Sequence, residues 1–313
     1  MMIKDIFSKI KQPLADLGKH NIDNDKKDEV SDFKENIDNA IGQTVPMTAY
    51  VSDILKSPES DEFGMKAGYL TGIGARPQQQ DSLLISDLSD KQLCDKNGVL
   101  ALVADGMGGL ADGAKISASI TDIMNKLFSD VSETMSPQDR LLTMTYDTAE
   151  TIRNYLINEN AEMSGSTLAA VIIHNNELSF LSVGDSRIYL VRKGMLLQLN
   201  REHSYAVELD EAAARGEMYF EQAKNHPQRN ALTSYIGNVP LERIDRSMHP
   251  IRLKKGDAVM IMSVGVFGTL CDEKIESIFV EDDPVATAKA IEREVLAAGQ
   301  PNQDNFSAVI LSV

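Results

Sequence analysis

The chain has 313 residues, with 31 Lys+Arg against 47 Asp+Glu and a formal net charge of −16. That length supports one large domain or two small ones with a sizeable core, and the acidity without a basic run excludes a nucleic-acid binder. Cys94 and Cys271 lie far apart without metal-ligand spacing, no apolar stretch is long enough for a transmembrane segment, and the N-terminus lacks a secretory h-region, so the expectation is a cytoplasmic protein.

Residues 1–62 read as an N-terminal helix and an acidic linker. Ile3, Ile6, Phe7, Ile10, Leu14 and Leu17 recur at helical spacing. Such a stripe docks on its own domain or binds a partner or membrane surface. Asn21 to Ser60 is polar and weakly periodic, as linkers are. The folded domain is expected over 63–313. Gly68 to Ile73 reads as a first strand and Leu83 to Ser86 as a second. Between them, Arg76, Gln80 and Asp81 share a polar loop, where an arginine could hold a phosphate and an acid a metal. Taken alone, that loop is an ordinary hairpin connection.

The apolar run Val99 to Ala104 predicts a strand buried on both faces, ending at Asp105. Gly106, Gly108 and Gly109 follow and permit close backbone approach to a ligand; in isolation an Asp-Gly pair is a common turn. Ile116, Ile120, Ile123, Met124 and Leu127 mark one helix. A second starts after Ser136-Pro137 and buries Leu142, Ala149, Ile152 and Leu156. Ser164 to Leu199 predicts a β-meander with strands Leu168–His174, Leu178–Val183, Arg187–Val191 and Met195–Leu199. Tight turns at Asn175-Asn176, Gly184-Asp185-Ser186 and Arg192-Lys193-Gly194 imply antiparallel pairing across each.

Glu202 to Gly237 is polar, with a helical patch near Glu208 to Gly216, and is long enough to be a functional cover. Asp257 to Met262 reads as another buried strand, ending at Ser263-Val264-Gly265. Asp283-Pro284 opens a last helix that stops at Gly299. Asn302 to Asn305 leads into a final strand, Phe306 to Val313.

The order of five motifs resembles the metal-dependent protein phosphatases of type 2C: Arg76…Gln80-Asp81; Val103 to Gly109; Ser164-Gly165-Ser166-Thr167; Val183-Gly184-Asp185-Ser186-Arg187; and Asp304-Asn305. The stretch from His203-Ser204-Tyr205 through His226–Asn230 to Leu232-Thr233 is similar to the flap of the bacterial members, here about residues 202–237. The resemblance covers residues 64 to 313 and implies an α+β fold, a four-layer αββα sandwich of two antiparallel sheets flanked by helices. It implies hydrolysis of phosphoserine and phosphothreonine in phosphorylated proteins, the substrates of a serine/threonine kinase. It also implies two Mn²⁺ or Mg²⁺ ions with a bridging water as nucleophile, chemistry that paired metals suit.

By position, the resemblance gives Asp105 both metals, Gly106 a carbonyl ligand, and Asp304 the first metal. Gln80 becomes a milder, amide ligand, Asp185 holds a weak third ion, and Arg76 clamps the substrate phosphate. The chain departs from the family at Val264, where Ser-Asp-Gly is usual and the Asp binds metal. A β-branched apolar residue offers no oxygen there. That departure implies either an attenuated phosphatase or a catalytically dead pseudophosphatase that binds phosphoproteins or a partner, since even groups behind the ligands matter about 10–100-fold.

Overall fold

The apolar runs fold into two antiparallel sheets stacked face to face, because a strand that is apolar on both sides needs cover on both sides. This is a computed structural model. It describes residues 64–313 apart from 108–111, 131–134, 160–163, 239 and 242. The N-terminal stripe, the acidic linker, Gly108 and Gly109 therefore lie outside the described residues.

The first sheet contains β1 (Lys66–Gly72), β7 (Arg187–Arg192), β8 (Met195–Gln198), β11 (Ala258–Met262) and β12 (Phe306–Ser312). Their order is β1-β12-β11-β7-β8. The second is built from β2 (Asp81–Ile85), β3 (Val99–Met107), β5 (Leu168–His174), β6 (Glu177–Val183) and β10 (Ile251–Arg252), in the order β10-β6-β5-β3-β2. Two short strands extend it, β4 (Gly165–Ser166) on β3 and β9 (Asp245–Arg246) on β6.

Alternation along β3 shows why the layers form. Ala101 and Val103 face the other sheet and pack with Val171, Ile188, Val259 and Val309. Leu100, Leu102 and Ala104 face outward onto α2 (Asp112–Ser129) and α3 (Pro137–Glu159), meeting Ile116, Ile120, Met124 and Ile152. On the opposite outside face, Met260 and Phe306 pack against Ala288, Ile291 and Val295 of α8 (Pro284–Ala297). The side chain of Asp283 accepts from Ala286 N–H and fixes where α8 begins. The result is the expected αββα sandwich.

The meander is corrected. β5 pairs β6 and β7 pairs β8, but β6 and β7 belong to different sheets. Both edges of β6 are taken, one by β5 and the other by β9 and β10, so β7 has no ladder left to join. At Gly184 (φ +104°) the chain crosses to the first sheet, where β7 pairs β11. Among the described residues, four short helices add to the expected set: α1 (Lys91–Asn97), α5 (Phe220–Lys224), α6 (Val264–Phe267) and α7 (Asp272–Ile278). The flap's helical patch is α4 (Tyr205–Ala214), and it shares a small core with α5 through Leu209, Ala213 and Ala223.

Candidate active site

Strand register brings the two central acids together. Asp81 opens β2 directly opposite Asp105 in β3. β3 does not stop at Asp105, as its sequence suggests, but continues to Met107 by pairing with β4. Asp105 is held at both ends of its own backbone. Its N–H donates to Thr167 Oγ1 at 2.9 Å, and its carbonyl accepts from Thr167 N–H and Ser166 Oγ, each at 2.9 Å. The Ser164–Thr167 motif therefore clamps Asp105. Thr167 Oγ1 also meets Ser186 Oγ at 2.8 Å, which ties the clamp to the crossover carrying Asp185.

Burial sets the electrostatics. Desolvation, with the charges of Asp81, Asp185 and Asp304, pushes the Asp105 carboxyl well above its ordinary range. Desolvation raises Asp81 to about 6, partly offset by the bond from Ser263 Oγ to its Oδ2 at 2.8 Å. Asp81 Oδ1 and Gln80 Nε2 are buried without a partner. Asp185 is raised to about 6 by burial first and then by Glu202, against the opposing pull of Arg187.

Gly106 is required by contact. A Cβ there would lie 2.2 Å from Gly113 O and 2.7 Å from Gln80 O. Only a bare backbone fits between the Gln80 loop and the start of α2.

Arg76 and Asp304 are joined to each other rather than facing an open cleft. Arg76 Nη2 donates to Asp304 Oδ2 at 2.8 Å, while Asp304 Oδ1 accepts from Asn305 N–H at 2.8 Å. Val264 opens α6 between two fixed neighbours. Ser263 holds Asp81, and Gly265 is pressed so close to Asn305 that a Cβ would lie 2.0 Å from its carbonyl oxygen. Residue 264 is thus bracketed by the partner of one acid and the neighbour of another.

The groups here that could hold a cation offer oxygen only: Asp81, Asp105, Asp185, Asp304 and the Gly106 carbonyl. Crowded carboxylates with an orphaned oxygen suit a hard divalent cation, which offsets their repulsion. Among the described residues, no three His, Cys, Asp or Glu side chains converge on one point as they stand. Asp304 is turned to Arg76, and residue 264 adds no oxygen. Asp81, the loop acid that could hold a metal, lies outside the ligand set implied by the resemblance, which takes its neighbour Gln80. The signal was its place at the start of a strand paired with Asp105.

A profile of the family described as Protein phosphatase 2C matches residues 76–288, more than half of the chain. The chain belongs to the protein phosphatase 2C family. Protein phosphatase PhpP of Streptococcus pneumoniae is 27% identical over 227 residues, covering 68% of this chain and 85% of the relative. The Streptococcus agalactiae serine/threonine phosphatase structure superposes with TM-score 0.68 at 26% identity, covering 80% of this chain and 99% of that one. The catalytic domain of PstP, solved in complex with two manganese ions, shares the fold at TM-score 0.62 and 23% identity, over 79% of this chain and 97% of its own. The relatives of this phosphatase 2C chain are thus bacterial serine/threonine phosphatases. Among the described residues, no helix is long and apolar enough to cross a membrane.

Proposed function

We propose that this chain is a divalent-metal-dependent phosphatase acting on phosphoserine and phosphothreonine in proteins, with metal affinity lowered by Val264. The observation that carries this reading is the opposed pair of a buried Asp81 and a half-buried Asp105, with an unpartnered carboxylate oxygen between fixed strands. Without a cation, that arrangement is a cost to folding. Mn²⁺ or Mg²⁺, when bound, supplies a more acidic water and neutralises charge on the phosphoryl oxygens.

The chain's own residues do the rest. Asp105 and Asp304 are the principal ligands, with the Gly106 carbonyl, Gln80 and Asp81 contributing oxygen beside them. Asp185 offers a further, weaker position. Arg76 leaves Asp304 to take two oxygens of the substrate phosphate, since its planar fork matches an oxyanion better than one carboxylate edge. The flap chooses among phosphoproteins, the products of a serine/threonine kinase. A cytoplasmic signalling role is part of this reading. It is supported by two free thiols, Cys94 and Cys271, which suit a reducing compartment.

The experiment is calorimetric Mn²⁺ titration beside hydrolysis of a phosphothreonine peptide. Saturable binding with metal-dependent turnover supports the reading. Metal binding with no turnover at any concentration favours the pseudophosphatase instead.

A further inference from the structure

We propose that His203, at the root of the flap, is a positioning residue that fixes the crossover carrying Asp185 so that this acid can meet a cation. The inference rests on the reading of Asp185 as a further metal position and names the group that sets it in place.

The crossover needs an outside hold. Gly184 has φ +104°, a conformation that favours glycine, and glycine has the most backbone freedom to lose. The direction of the Asp185 side chain follows from those dihedrals. His203 supplies the hold with two bonds. Gly184 N–H donates to His203 Nδ1 at 3.1 Å, and His203 N–H donates back to Gly184 O at 2.8 Å. Nδ1 accepts, so the neutral ring carries its proton on Nε2. His203 is 6% exposed, and burial lowers its pKa, which keeps Nδ1 an acceptor. Burying an imidazole costs stability unless it is bonded, and the bond to Gly184 offsets that cost.

The residues beside His203 extend the hold. Buried Asn200 donates from Nδ2 to Ser186 O at 2.9 Å, and its Oδ1 accepts from Ile188 N–H at 2.7 Å. Glu202 accepts from Arg187 Nε at 2.6 Å. Positions 200, 202 and 203 therefore fasten the chain on both sides of Asp185. The opposite side of the crossover is closed as well. A Cβ on Gly184 would lie 2.6 Å from Cγ2 of Thr167, the residue that clamps Asp105. The charge of Asp185 in turn acts on Asp105, so the crossover sets a further carboxylate beside the central pair.

His203 also closes the base of the flap. Its carbonyl accepts from Thr233 N–H at 2.8 Å, and Tyr205 N–H donates to Ala231 O at 2.9 Å. The flap and the Asp185 crossover thus meet in one residue.

The test compares two amides at position 203 in the full chain. Asn carries its acceptor on Cγ, where histidine carries Nδ1, and keeps the bond to Gly184. Gln carries its acceptor one bond further out and loses that bond. Without metal, hydrogen exchange at the Gly184 amide should quicken in His203→Gln and stay slow in His203→Asn. Calorimetric Mn²⁺ titration of Asp185→Asn defines the binding that depends on Asp185. His203→Gln should weaken that component about tenfold, as groups behind metal ligands do, and His203→Asn should restore it. Adding His203→Gln to Asp185→Asn should cost no further Mn²⁺ affinity, because the two residues act as one.

Unchanged Mn²⁺ affinity in His203→Gln or in Asp185→Asn overturns the proposal and leaves the phosphatase reading standing. Equal losses in the Gln and Asn variants, or a loss that adds to Asp185→Asn, make His203 a folding residue only and also overturn it. The predicted affinities without turnover on a phosphothreonine peptide uphold the positioning role while the phosphatase reading fails.

Discussion

Asp81, buried, and Asp105, half-buried, stand directly across from one another in the β2–β3 ladder, at the same end of the sandwich as the Thr167 clamp. Carboxylates so placed repel, and the protein retains both. That juxtaposition is best relieved by a cation. Phosphatase activity should therefore require added Mn²⁺ or Mg²⁺, vanish with chelator and fall to background in Asp105→Asn. Undiminished turnover in chelator would contradict this.

The same pair predicts an unusual pH dependence of stability. Asp81 and Asp185 have native values near 6, and Asp105 is raised as well, above the ordinary 3.8. The native state therefore binds more protons than the unfolded one, so stability falls as pH rises from ~4 to beyond ~6. Thermal melts of the metal-free chain should show that fall, and saturating Mn²⁺ should flatten it. Asp81→Asn should raise the metal-free melting temperature at neutral pH. A metal-free melting temperature that climbs steadily over this range would show that the acids are not crowded.

Arg76 separates function from folding. Its pair with Asp304 is exposed, and such pairs contribute only about 0–1 kcal/mol. Arg76→Ala should leave thermal stability nearly unchanged while lowering kcat/KM on an aryl phosphate by at least about tenfold, ~1.4 kcal/mol. Equal activity in the variant would remove Arg76 from the phosphate site.

Much of the fold was legible because β3, β5 and β12 are apolar along their length and because α2 and α8 repeat at helical spacing. The order of the five motifs pointed to the family and to Asp105, Asp304 and Arg76. What escaped was long-range. The Gly184–Ser186 turn looks local, yet strands on both edges of β6 deny β7 a place beside it. Asp81 reads as a loop acid until β2 is known to begin there and pair with Asp105. The Arg76–Asp304 bond spans 228 positions, beyond any local pattern.

The flap has its own small core in Leu209, Ala213 and Ala223 and is fastened through His203 to Gly184. Replacing α4 and α5 with the equivalent flap of a relative should change rates on phosphoproteins far more than on a small aryl phosphate. Equal losses on both substrates would make the flap part of the catalytic core.

Val264 bears most directly on the whole account. It lies between Ser263, which holds Asp81, and Gly265, which abuts Asn305 beside Asp304. An acid there would add charge and oxygen where the ligand set lacks one. Calorimetric titration of Val264→Asp against the unaltered chain should show Mn²⁺ binding tightened by at least about tenfold, ~1.4 kcal/mol. Unchanged Mn²⁺ affinity would mean that residue 264 does not face the cation, and the proposed attenuation would fail with it.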